Sequence, residues 1–267
     1  SQEEYGIVLK ESWYEKLQHW EQALDAYERK WKETPEEMES LLGIFRCKHA
    51  LGDWSGLNDL ACTVWSNVNR DIQSTIAPWA AASAWGLSKW NLMGNFIDKI
   101  PEETIDGSFF RSILAIKNER YELFQKFVWL TRERLDAEIT TMINESYSRA
   151  YRTTVRVQML SELEEVVEYR NCPDRPERQE GIRDCWSKRL LDCQESVDVW
   201  QRMLKIRALV INPTDEQDLW IRFAGLCRRM QRPLLSRRVL LTLLGVDEHQ
   251  VDHLVHQFYY QNYFTLF

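Results

Sequence analysis

Three observations predict an all-α fold, an α-α superhelix of stacked helical hairpins. Trp20, Trp54, Trp90 and Tyr121 recur at intervals of 34, 36 and 31 residues, and their neighbours echo one another: LQHWEQALDAY, LGDWSGL, GLSKWNLMGNF and NERYELFQKF. Strand-like alternation is scarce, and no glycine hairpin signal joins β-branched runs. Helix-start signatures precede several apolar-periodic segments.

The period is that of one tetratricopeptide-like helix-turn-helix unit. Within each unit the aromatic is expected near the end of the first helix, filling the gap left by a small residue on its neighbour. The run Ala80-Ala81-Ala82-Ser83-Ala84-Trp85-Gly86 follows that logic, with Trp85 and Trp90 supplying bulk. All these aromatics are read as core packing.

Thr34-Pro35-Glu36-Glu37 combines a capping threonine, proline at the first helical position and an acid at the third, which predicts a helix from near Pro35. Pro101 and Asp106-Gly107 mark a turn between the third and fourth units. Ser161-x-x-Glu164 has capping spacing but falls inside a continuing helix, with no orphan amides to satisfy. Asn171-Cys172-Pro173-Asp174-Arg175-Pro176 is the clearest interruption. It divides the chain into residues 1–170, residues 171–247 of the same array, and a divergent end at 248–267. One long helix is expected from Arg178 to about Ile211. A last pair follows, Asp215 to about Arg229 and Pro233 to about Leu244, the first opened by Thr214 with Gln217 closing its capping box.

Composition supports this and narrows the function. Of 267 residues 44% are hydrophobic and 28% charged, with 10 Gly and 7 Pro, which suits long packed helices and argues against disorder. A formal charge of -7 removes the broad attraction used by non-specific nucleic-acid binders. No run of about 18 apolar residues or secretory start is present, so the chain reads as soluble and intracellular. Ser1 in place of an initiator methionine reads as a cut inside a longer protein. Six cysteines without a Cys-x-x-Cys pair read as reduced thiols.

Catalytic motifs are missing: no glycine-rich phosphate loop, no Gly-x-Ser-x-Gly elbow, no His-Glu-x-x-His. The acidic pairs Glu36-Glu37 and Glu164-Glu165 read as solvated helix faces. His249, His253 and His256 share one face of a helical Glu248–Phe258 but would strain a zinc site, and they read as a polar face. The most suggestive polar cluster is Arg222, Arg228, Arg229, Arg232, Arg237 and Arg238. Arg222 and Arg229 superpose in azimuth, about 10 Å apart along the axis, and two parallel guanidinium groups suit a multivalent anion. Lys205 and Arg207 are candidates to converge on the same place. The alternative is a solvated basic rim paired with Asp215 and Glu216.

Six segments carry a resemblance to a known family: WYEKLQHWEQALDAY (13–27), AAASAWGLSKWNLM (80–93), DGSFFRSILA (106–115), ESYSRAY (145–151), QMLSELEEVVEY (158–169) and LLGVD (243–247). In this order they resemble the FAT domain of target of rapamycin kinases, over about Ser12 to Asp247. The resemblance implies a helical clamp around a kinase domain that follows in the same chain. It implies a serine/threonine kinase parent in nutrient and growth signalling, with Raptor-like or Rictor-like and β-propeller subunits, cytoplasmic and held at lysosomal or vacuolar surfaces through partners. It also implies a basic pocket for inositol hexakisphosphate, with Arg222 and Arg229 of WIRFAGLCRR on two of its positions and Glu195 where the pattern has a base. The kinase lobes would lie beyond Phe267, leaving this segment without phosphoryl transfer. Past Asp247 the match fades, and Phe258, Tyr259, Tyr260, Tyr263, Phe264 and Phe267 form an apolar row. The rival readings are a free-standing tetratricopeptide adaptor with a peptide in its concave groove, and a metal enzyme using the histidine row.

Overall fold

The computed structural model describes residues 10–35, 37–142 and 147–246. Among them every regular element is helical, as the periodicity predicts. The chain forms two compact units, Ser1–Leu160 and Ser161–Phe267, whose boundary falls inside one helix.

The first unit holds α1 (Glu11–Lys16), α2 (Trp20–Glu33), α3 (Met38–Ala50), α4 (Trp54–Trp65), α5 (Arg70–Gly86), α6 (Trp90–Ile97), α7 (Ile105–Lys117), α8 (Tyr121–Met142) and the start of α9 (Tyr147–Asn171). Helices pair as α1–α2, α3–α4, α5–α6 and α7–α8, and the leading helices α3, α5 and α7 pack successively on one another.

One turn closes each of these pairs. A residue in the left-handed region ends the first helix: Gln18, Gly52, Ser88 and Glu119, with φ between 56° and 64°. In each, the left-handed residue's N–H donates three residues back and the next N–H five back, as in Gly52 to His49 and Asp53 to Lys48. These bonds satisfy carbonyls that the helix end would otherwise leave open. Two residues after each left-handed residue stands a periodic aromatic. Trp20, Trp54, Trp90 and Tyr121 therefore open the second helix of each pair, and the expectation that they lie near the end of the first is corrected.

Their placement explains the period. Trp20 packs on a cluster that includes Ile44 and Cys47 of α3. Trp54 lies under Gly86 at the end of α5, where an added Cβ would come within 2.8 Å of its ring. Trp90 carries the Lys117 ammonium of α7 at 5.2 Å over its face. Each of the three tryptophans thus reaches the leading helix of the next pair, two of them at its last residue. All four periodic aromatics are half-buried, where the sequence reading made them core, and the three tryptophans bridge neighbouring hairpins.

Helix α5 packs against α3, α4, α6 and α7, and accordingly Ala80, Ala81, Ser83, Ala84 and Trp85 are all buried. Small side chains let several helices approach it at once. Pro78 lies inside α5 and withholds the amide that would bond Ser74.

Two start signals act differently from their sequence reading. The helix expected from near Pro35 opens three residues later, at Met38 with Glu37 preceding it, but Thr34 does not cap it; Thr34 instead ends α2, its hydroxyl donating to the Lys30 carbonyl at 3.0 Å. Asp106 and Gly107 lie in the first turn of α7, capped by Thr104, whose Oγ1 accepts from the Gly107 amide. Gly107 is needed for close approach, since a Cβ there would meet the Pro101 carbonyl oxygen.

The second unit contains the rest of α9, α10 (Pro176–Asp192), α11 (Val197–Arg207), a 3-10 turn at Pro213–Glu216, α12 (Gln217–Arg229) and α13 (Pro233–Leu244). The Asn171–Arg175 interruption stands. The single helix expected from Arg178 to Ile211 is broken at Cys193–Ser196, where Cys193 turns extended. An unbroken helix would hold Arg189 and Arg207 about 27 Å apart along its axis. Both bind Glu162, and the break brings them together. Thr214 and Gln217 form no capping box: Asn212 accepts from the Thr214 amide and opens the 3-10 turn. The α12–α13 turn repeats the hairpin turn of the first unit, with Gln231 at φ 57°. Cys47 and Cys227 are buried like small apolar residues, and burial pushes both thiols up to about 12.

Candidate functional site

Helix α12 is amphipathic. Leu219, Phe223, Ala224, Leu226 and Cys227 bury one face, which leaves Arg222, Arg228 and Arg229 exposed on the other. The seven-residue spacing of Arg222 and Arg229 on one helix is as the sequence indicates. Arg229 is engaged: its Nη2 donates to Glu195 Oε1 at 3.1 Å, with both side chains about two-thirds exposed. Glu195, the acid at the family pattern's basic position, thus offsets one of the two candidate anion ligands.

The remaining basic residues part company. Arg232 is buried and donates to Asp198 Oδ1 of α11 at 2.8 Å. Arg237 and Arg238 are half-buried on α13. Arg207 does not converge with Arg222; it is buried and points to α9. Lys205 is half-buried, and burial pushes its ammonium down to about 7. The exposed part of the cluster is therefore Arg222, Arg228 and Arg229. The expected partners Asp215 and Glu216 sit in the 3-10 turn; burial raises the Glu216 carboxyl, with Arg207 and Arg183 opposing the rise.

Sequence reasoning missed a second charged cluster within this unit. Glu162, fully buried on α9, accepts two bonds from Arg207 at 2.8 and 2.9 Å and one from Arg189 at 3.4 Å. Glu165, one turn on, takes a two-pronged contact from Arg189 at 2.8 and 3.0 Å and the Trp186 indole N–H at 2.6 Å. The Arg207 guanidinium lies 5.6 Å from the centre of the Trp186 ring, which stacks on Tyr169. Burial opposes ionisation of Glu165, but the bonds from Arg189 and Trp186 outweigh it and hold its carboxyl below the usual range. The solvated-face reading of Glu164-Glu165 holds for exposed Glu164 and fails for Glu165. Carboxylates so surrounded by donors are suited to joining α9, α10 and α11 by charge-assisted hydrogen bonds. The three-residue step from Glu162 to Glu165 beside Leu163 and Val166 was the available signal.

Among the described residues no group of three metal-ligating side chains converges, and no helix is long and apolar enough to cross a membrane. The row His249, His253 and His256 and the aromatic row from Phe258 lie outside the described residues.

The FAT domain family matches residues 77–263. The chain is 42% identical over 235 residues to the serine/threonine-protein kinase mTor of Drosophila melanogaster, an alignment covering 88% of this chain and 9% of that protein. It is 37% identical over 253 residues to the serine/threonine-protein kinase TOR2 of Saccharomyces cerevisiae, covering 95% and 10% respectively. It is 40% identical over 247 residues to the serine/threonine-protein kinase tor1 of Schizosaccharomyces pombe, covering 92% and 11%. The chain spans about a tenth of the length of these relatives. Its all-α hairpins, its match to the family over most of its length and the identity of these relatives agree: the chain belongs to the FAT domain family, among the target of rapamycin members of the PI3K-related kinases.

Proposed function

We propose that this chain is a non-catalytic scaffold segment of a target-of-rapamycin-like serine/threonine kinase in nutrient and growth signalling, and that its stacked hairpins clamp the kinase domain of the same chain. The alignment of nearly the whole segment with kinases some ten times longer supports this reading most directly. A stack in which Trp20, Trp54 and Trp90 each touch the next hairpin passes strain to its neighbours, a property suited to restraint at a distance. Raptor-like or Rictor-like and β-propeller subunits are the proposed partners, with attachment to lysosomal or vacuolar surfaces through them. Trp85, buried in α5, provides the test. Trp85→Ala in the intact kinase should cost about 3–5 kcal/mol of stability and alter basal phosphoryl transfer to a protein substrate. Unchanged melting and unchanged turnover together would overturn the clamp.

We also propose that Arg222 and Arg229 contribute to an inositol hexakisphosphate site in the intact kinase. Their shared exposed face on α12 supports it, while the Glu195 contact to Arg229 weakens it. Titration calorimetry with inositol hexakisphosphate should give weaker binding for the Arg222→Ala/Arg229→Ala kinase than for wild type. Equal heats and affinities would remove both arginines from the site.

A further inference from the structure

Thr34-Pro35-Glu36-Glu37 reads as a helix cap in the sequence, yet the structure does not use it as one. Glu37 precedes α3 and makes no side-chain cap to it, while Thr34 closes α2 with backbone outside the helical region, φ -134° and ψ 78°. Lys32, Glu33, Thr34 and Pro35 form a continuous exposed stretch. Of the chain's 7 prolines, Pro35 alone follows a serine or threonine. The geometry points to Thr34 as an acceptor for a proline-directed serine/threonine kinase.

Proline has no N–H and biases the residue before it toward extended backbone. A kinase whose cleft hydrogen-bonds the amide after the acceptor rejects such a substrate, and a proline-directed one accepts it. Thr34 has already left the helical backbone, its side chain is exposed, and its hydroxyl donates back to the Lys30 carbonyl at 3.0 Å, a bond that entry into the cleft replaces. Lys32 and Glu33 are exposed as well, so a cleft can reach the acceptor from this side while Trp31 stays packed on its cluster. In the transfer, Thr34 Oγ1 bonds the γ-phosphorus of ATP as the bond to ADP breaks, and the hydroxyl proton passes to the kinase's base.

The phosphate would act on a defined contact. Lys30 holds Glu37 at 2.9 Å and Glu11 of α1 at 3.8 Å, linking α1, α2 and the residue before α3. A phosphothreonine loses the hydroxyl donor to Lys30 and places a near-dianion at the negative end of α2, beside Glu33 and Glu37. It competes with both carboxylates for Lys30, and the α1–α2–α3 junction loosens.

The test incubates the folded 267-residue chain with a purified proline-directed kinase and magnesium ATP, with a peptide of residues 28–40 alongside. Mass spectrometry should find about one phosphate per chain on Thr34, retained in Thr34→Ser and lost in Thr34→Ala and Pro35→Ala, each variant checked for wild-type helicity. The phosphorylated chain should melt about 1–3 °C below the unmodified one. A labelled peptide beside an unlabelled folded chain would overturn the acceptor assignment. So would failure of both to label, or equal labelling of Thr34→Ala. An unchanged or raised melting temperature would overturn the effect on the junction.

Discussion

Glu162 shows how much a single buried charge can constrain. Its carboxylate is fully buried and meets two guanidinium groups from different helices, so its desolvation is offset only while both remain. Glu162→Ala leaves the buried Arg207 without its partner and should lower unfolding free energy in urea by about 3–5 kcal/mol. Glu162→Met/Arg207→Met, which removes both charges and keeps the volume, should recover most of that loss. A double variant no more stable than Glu162→Ala would show that packing, not charge, is at stake. Arg229 and Glu195 form the opposite case. Both are largely exposed, and their contact at 3.1 Å contributes little to folding while deciding whether Arg229 is available to an anion.

Among the elements, the recurring hairpin turn is the unit of construction. Four of its five left-handed positions carry a side chain, namely Gln18, Ser88, Glu119 and Gln231, and Gly52 alone suits the conformation at no steric cost. Glu119→Gly should therefore raise unfolding free energy by roughly 0.5–1 kcal/mol, and Gly52→Ala should lower it by about 1 kcal/mol. A loss of stability on Glu119→Gly would contradict the strain argument. The turn also aims the next aromatic. Gly86→Ala forces a methyl to within 2.8 Å of the Trp54 ring and should cost about 1–3 kcal/mol. In a Trp54→Leu background the same substitution should cost less, and a purely additive pair would break the proposed contact between hairpins.

At the scale of the whole molecule, the net charge of -7 opposes anion binding, and the exposed arginines of α12 must act locally against it. Glu195→Gln removes one negative charge and releases Arg229. It should strengthen inositol hexakisphosphate binding in the intact kinase by about one order of magnitude, with the gain shrinking as salt rises. No gain in calorimetry at low salt would place Arg229 outside any such site.

The helical class, the hairpin period, the interruption after Asn171 and the last helical pair were all legible in the sequence, because each follows from spacing and turn chemistry within a few residues. Arg222 and Arg229 were legible as neighbours for the same reason, their seven-residue separation on one helix. What the aromatics touch was decided only in three dimensions, since Trp54 and Gly86 are 32 positions apart and meet through the stacking of one hairpin on the next. The fates of Thr34, Glu165 and Arg207 were also tertiary. A capping box, a solvated acid and a buried ion pair can share one local sequence, and they differ in which distant helix supplies or withholds the partner.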